Sequence, residues 1–238
     1  KGKLFKVVAT HGDTRLGGDD IDRVLVTLFT QSLLDQYPNL DLEDPSSRQI
    51  LRKTAEEVKI ALSGSMEVEY ILELPEKRIK HRGQLKADEL SRQIEPLLKR
   101  TFDSCAKALS DAGLKHGDID EVVLVGGSTL VPAVRKGVES FFGRTPHVAI
   151  DPYKVVAIGA AIQGHLLAGG RRDFLLLDVV PLALGIETLG GTFSKVITAN
   201  TSLPAEESEV FTTHVDQQTS IEINIYHLII IIIISNIN

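Results

Sequence analysis

At 238 residues and a formal charge of −6, with an isoelectric point near 5.7, the chain has room for one large domain or two smaller ones, each with its own core. Charges of both signs are scattered and no basic stripe offers itself to a phosphate backbone, which argues against nucleic acid as a partner. The lone cysteine, Cys105, rules out an internal disulfide, and no basic leader precedes an apolar stretch, so a cytoplasmic location is expected.

The opening "KGKLFKVVAT" alternates as a strand over about 4–10, and a chain that starts at Lys1 inside a strand reads as a piece of a larger domain. "GDTRLGGDDID" follows, with Gly17 and Gly18 between that strand and a helical period at 19–36; Asp19 and Asp20 in its first turn are explained by capping. A second helical period covers 46–63. Within its "AEEVKIALSGS", Glu56, Lys59 and Ser63 stand at i, i+3 and i+7 and share one helix face. That face suits a ribose and a base edge, or is a solvated stripe with a weak Glu56 to Lys59 pair.

A strand is expected at 66–74 and a helical period at 86–112, kinked or divided at Pro96. Cys105 falls within that period, with no base beside it in sequence, and reads as a structural thiol. At 120–125 a strand runs into "VVLVGGSTLVPAV". Here Gly126 and Gly127 open the mouth of a helix at 130–142, where bare backbone and a helix N-terminus admit a flat or anionic ligand; a plain tight turn explains the pair equally well. A further strand is expected at 146–150 and a helix at 152–168, with Asp151 as N-cap and Pro152 in the first turn. Gly113, Gly143, Gly169 and Gly170 stand where helices should stop.

Beyond Gly170 the pattern changes. "RRDFLLLDVVP" is a charged hinge with a short apolar run, and strand signals at 182–189, 192–198, 208–215 and 219–226 have β-meander spacing. The first 168 residues thus form an alternating α/β region, and an all-β region follows. The last residues, with Ile229 to Ile234 consecutive, fit no packed element and fall far short of the roughly 20 residues that span a bilayer. No P-loop, G-x-S-x-G or zinc-spaced His/Cys cluster is present, and the dispersed histidines read as surface or packing residues.

Five ordered motifs, "GDTRLGGDDID", "VVLVGGSTLVPAV", "DPYKVVAIGAAIQG", "FLLLDVVPLALGIETLGG" and "NTSLP", closely resemble the DnaK-type heat-shock chaperones of the actin-like ATPase superfamily over about residues 1–226. "VKIALS", "LKRTFDSCAKAL" and "DPYKVVAIGAAIQ" resemble most the bacterial branch that serves iron–sulfur cluster assembly. The resemblance implies that residues 1–170 are lobe II of the nucleotide-binding domain, ribonuclease H-like in fold. Residues 171–180, with Leu175, Leu176, Leu177 and Asp178, would be an interdomain linker. Residues 181–226 would begin a truncated peptide-binding β-sandwich, and 227–238 would be a tail outside the family pattern.

It further implies that ATP or ADP sits between Glu56, Lys59 and Ser63 on one side and Gly126, Gly127 and Ser128 on the other. Mg2+ and the catalytic groups would belong to a first lobe preceding Lys1, so no catalytic residue is assigned in this chain. Ile186, Thr188, Leu189, Phe211, Ile221 and Ile223 match positions around a groove for client or unfolded peptides. The partners implied are a J-domain co-chaperone, a nucleotide exchange factor and an iron–sulfur scaffold protein.

The chain departs from the pattern at three places: Leu130 and Ile60 stand where arginines are usual, and Tyr153 where an acid is usual. Two rival readings share parts of the sequence. An actin-like sugar kinase would have the same lobe but no use for "FLLLDVVPLALGIETLGG", and an inactive truncated interaction module would need no first lobe.

Overall fold

The computed structural model describes residues 3–147, 151–169, 174–188, 192–212, 217–220, 222–227 and 233–237. They fall into two compact units, Arg15–Phe102 with Ile119–Ile158, and residues 1–14 with Asp103–Asp118 and Gly159–Asn238.

The first of these units is built on two long helices and a hairpin. Helix α1 (Gly18–Gln36) starts where Asp20 Oδ2 accepts from Gly17 N at 2.7 Å while Asp20 N donates back to Gly17 O at 3.1 Å. Its buried residues, Ile21, Leu25, Phe29 and Leu33, recur every fourth position and form one stripe. Helix α2 (Pro45–Leu62) is capped by Asp44, whose Oδ1 accepts from Ser47 N at 2.8 Å, with proline in the first turn. It buries Leu51, Ala55, Val58 and Leu62.

Strands β2 (Glu67–Leu74) and β3 (Ile79–Lys86) pair antiparallel across a 3-10 turn at Pro75–Lys77, with Arg78 in the left-handed region at φ 55°. The alternation puts Tyr70, Leu72 and Leu74 on the inner face of β2, against His81 and Leu85 of β3. Strand β3, "IKHRGQLK", escapes sequence reading because its inner face is spaced by His81 and Gly83 rather than by β-branched residues. Gly83 is required there: a Cβ would collide with the Tyr70 ring. His81 is a packing residue, bonded through Nε2 to Ser32 Oγ and through Nδ1 to Gln36 Oε1, each at 2.9 Å.

The period at 86–112 divides into α3 (Ala87–Gln93) and α4 (Glu95–Ala112), and Pro96 takes the tolerated place in the first turn of the second. Leu90 and Ile94 join the core of Leu25, Phe29, Leu33, Leu51, Leu62 and Leu72. Cys105 on α4 is part-buried, and burial pushes its thiol up, as suits a structural residue.

The strand expected at 120–125 does not form. Only an isolated parallel bridge, Val123 to His147, is made, and Val123 and Val125 stay about half exposed because a lone extended segment has no ladder to join. The strand expected at 146–150 lies mostly outside the described residues. Gly127–Leu130 make a 3-10 turn, and α5 (Pro132–Phe142) ends at Gly143 with φ 64°. Helix α6 (Val155–Leu167) starts later than expected, since Asp151 and Pro152 are spent in a preceding turn in which Asp151 Oδ1 accepts from Tyr153 N at 2.9 Å. Gly113 and Gly169 stop their helices at φ 68° and 86°. Gly170 lies outside the described residues.

In the other unit β1 (Lys3–Thr10) pairs parallel with β4 (Phe174–Leu177) and antiparallel with β8 (Ile233–Ile237). The isoleucine-rich end therefore enters an element, where its composition predicted none. Strands β5 (Leu184–Thr188), β6 (Thr192–Ile197) and β7 (Ile225–His227) form a second antiparallel sheet with β5 central. The strand expected at 208–215 is not formed over residues 208–212, and that expected at 219–226 is reduced to Ile225–His227. Among the described residues no helix is long and apolar enough to cross a membrane.

Candidate functional site

The glycine pair at the start of α1, the lysine of α2 and the glycine-rich turn before α5 come from three stretches about 40 to 70 residues apart, yet they meet. A methyl group on Gly18 would lie 3.1 Å from Ser128 Oγ and 3.4 Å from Lys59 Nζ, so the missing side chain is what lets the three segments close up. Lys59 Nζ pairs with Asp22 Oδ2 at 2.7 Å and also donates to Gly18 O at 3.3 Å. Lysine and aspartate are 15% and 16% exposed, so this is a largely sheltered pair rather than a surface contact. The stem of Lys59 borders a small cleft lined by Leu62, Leu90, Ser91, Val131 and Pro132.

Ser128 belongs to the 3-10 turn at Gly127–Leu130, tightened by Thr129 Oγ1 donating to Gly126 O at 2.6 Å. Gly126 has φ 92°, a conformation that side chains avoid, so this glycine serves the turn itself. Gly126 N donates to Pro152 O at 3.1 Å, which ties the turn to the segment before α6.

The sequence-predicted residues thus divide. Lys59, Gly126, Gly127 and Ser128 are brought into one neighbourhood with Gly18. Ser63 caps the end of α2 and donates to Lys59 O at 3.1 Å; its lone pairs stay available as acceptors. Glu56 stands exposed on the outer part of that helix. The partner considered for Lys59 in sequence was Glu56, but the pair it forms is with Asp22, a residue sequence reading passed over. A signal existed: Lys59 adjoins the buried stripe of Ala55, Val58 and Leu62, where a cation calls for a carboxylate. Asp22 Oδ1 is buried without a partner, which leaves an acceptor unused beside the lysine.

The residues fit the sugar end of a nucleotide: a sheltered ammonium with one of its three donors unspent, hydroxyl oxygens at Ser63 and Ser128, and open space on the side of Gly126 where a side chain would stand. Among the described residues no group of three His, Cys, Asp or Glu side chains could hold a metal.

The positions matched to a peptide groove belong to the other compact unit. Ile186 is half-buried on β5, and Thr188 Oγ1 donates to Thr192 O across the β5–β6 pair at 2.9 Å. Phe211 and Ile223 are 39% and 56% exposed. Leu189 and Ile221 lie outside the described residues. In the segment expected as a linker, β4 holds Leu175 and Leu176 at 57% and 40% exposure while Val179 and Val180 are buried. There Val180 N donates to Thr201 O at 2.8 Å, Asn200 N to Val180 O at 2.7 Å and Leu203 N to Asp178 O at 2.8 Å. Asn200 Oδ1 also accepts from Thr10 N at 3.0 Å, so one loop grips both residues 178–180 and β1.

Compared with known families, residues 1–230 match the family described as Hsp70 protein. That family consists of ATP-dependent chaperones that bind nucleotide with Mg2+ and deal with client peptides and co-chaperones. With nearly the whole chain matched, this chain belongs to the Hsp70 family.

Proposed function

We propose that residues 1–170 act as the second lobe of a DnaK-type nucleotide-binding domain and hold the adenosine part of ATP or ADP. The observation that carries this is the meeting of Gly18, Lys59 and Ser128 from three separate segments. Lys59 would offer its remaining N–H to a ribose oxygen. Ser63 would accept from a ribose hydroxyl, Glu56 would take a second one at the exposed rim, and Gly126 and Gly127, having no side chains of their own, would let the nucleotide approach the turn. Mg2+, held from a first lobe, would neutralise charge on the phosphates. Calorimetric titration of ADP tests this: Lys59→Ala should weaken binding about tenfold or more, as fits the loss of a hydrogen bond from a charged donor. Undiminished affinity would place the nucleotide elsewhere.

In the same reading residues 171–180 are the linker and 181–226 begin the peptide-binding region, with Ile186, Thr188, Leu189, Phe211, Ile221 and Ile223 toward an apolar client segment. ATP-dependent docking of the linker would control peptide release, with a J-domain co-chaperone and a nucleotide exchange factor setting the timing. The motifs "VKIALS", "LKRTFDSCAKAL" and "DPYKVVAIGAAIQ" support the narrower reading of service in iron–sulfur cluster assembly, with a scaffold protein as client. Capture of such a scaffold's peptide in preference to unrelated unfolded peptides checks that.

A further inference from the structure

Tyr153 is 66% exposed, yet its backbone is held. Its N–H donates to Asp151 Oδ1 at 2.9 Å, and the carbonyl of Pro152 accepts from Gly126 N at 3.1 Å, so its backbone is fastened to the glycine turn. Its ring lies on Gly127: a Cβ there would come within 2.8 Å of Tyr153 Cε1 and 3.0 Å of the phenol oxygen. The next residue is Ser128, whose hydroxyl approaches Gly18 beside Lys59. One short turn therefore carries an exposed aromatic ring at one residue and the sheltered polar cluster at the next. Within the turn Leu130 is a half-buried aliphatic residue, Ile60, next to Lys59, is 57% exposed, and the Arg135 guanidinium is engaged through Nε with Thr129 O at 2.9 Å.

We propose that Tyr153 is the base-contacting residue of this site, its ring serving as the stacking surface for a purine whose ribose is held from the side of Lys59 and Ser128. The inference rests on the nucleotide reading above. A tyrosine, with few rotatable side-chain bonds, offers stacking area at little cost in side-chain freedom, and base–aromatic stacking contributes about 1–3 kcal/mol per base. The surface would favour a purine over a pyrimidine by overlap area, and would do so without reading the base edge.

The test uses the 238-residue chain. ADP is titrated calorimetrically into the parent, Tyr153→Phe and Tyr153→Ala, and saturation-transfer NMR compares the adenine H8 and H2 protons with ribose H1′. The expected result is near-parental affinity for Tyr153→Phe and about tenfold weaker binding for Tyr153→Ala, with saturation lost from the adenine protons more than from H1′. Equal affinity and equal adenine saturation in Tyr153→Ala would overturn this inference and leave the nucleotide reading standing. A uniform loss of base and ribose saturation together with a lowered melting temperature would make Tyr153 a support for the turn, which also overturns it. Absence of ADP binding by the parent at millimolar concentration would overturn both readings together.

Discussion

The unit built on α1, α2 and the β2–β3 hairpin and the region from β4 onward are both rich in apolar residues, but they dispose of them differently. In the first, Leu25, Phe29, Leu33, Leu51, Leu62, Leu72 and Ile94 are at most 2% exposed and share one core. In the second, Leu175, Leu176, Phe193, Leu203, Phe211, Ile223 and Ile225 are all 39% exposed or more, while Val179 and Val180 are buried. Apolar pattern alone does not make a core; every stripe needs a facing stripe. The first region closes a shared core, and the second leaves more of its apolar surface exposed.

The widest gap should come from paired truncations. Phe29→Ala, which empties a fully buried site against Tyr70, is expected to cost about 3–5 kcal/mol. Phe211→Ala should stay within about 0.5 kcal/mol. Urea unfolding followed by circular dichroism reads both, and similar losses would erase the distinction between the regions.

The linker segment tests the other half of the contrast. In a protein carrying both lobes, changing Leu176 and Leu177 to Asp should abolish the acceleration of peptide release by ATP while nucleotide binding survives. Full burial of each leucine is worth roughly 1.5–3 kcal/mol to a docked state. Peptide dissociation rates with and without ATP decide it, and an intact ATP response would make the leucines ordinary strand residues.

A smaller effect is expected at the sheltered ion pair. In a double-mutant cycle with Asp22→Asn and Lys59→Met, the coupling energy should be about 1–3 kcal/mol, well above the 0.2–1 kcal/mol of exposed pairs. Additive losses would mean that the pair is solvent-screened like its surface neighbours.

The last prediction concerns pH. The Asp44 carboxyl is held below the usual carboxylate range by a hydrogen bond from Lys77, with Ser47 assisting, and Lys77 is raised in return. A depressed carboxylate stabilises above its unfolded pKa near 4, and that contribution fades as pH falls toward its folded value. Asp44→Asn should therefore flatten the acid limb of the stability profile below about pH 4, and an unchanged limb would remove Asp44 from it.

Much of this contrast was legible in sequence because it is periodic. The stripes of α1 and α2, the division at Pro96 and the helix stops at Gly113, Gly143 and Gly169 follow from local rules of spacing and backbone freedom. What sequence missed depends on neighbours distant in the chain. Strand β3 is held in place by β2 and Tyr70, not by its own composition, and Asp22 acquires its role only when Lys59 arrives from α2. At 120–125 the strand signal was strong, yet only one bridge, Val123 to His147, is formed. Lys59, Gly126 and Ser128 were legible individually; that Gly18 joins them was not, because their closeness is a matter of tertiary packing.

Strand β1 has a consequence for synthesis. Its neighbours on both edges, β4 and β8, arrive late: Lys3 pairs with Phe174 and Phe5 with Ile237. At roughly 5–20 residues per second on the ribosome, β1 waits on the order of 10–35 seconds for its first partner and longer for its second. The α1–α2–hairpin core closes from contacts within about 80 residues and can form meanwhile. Strand β1 is thus made long before it is completed, and during that interval its open edges are the surface that a nascent-chain chaperone would be expected to cover.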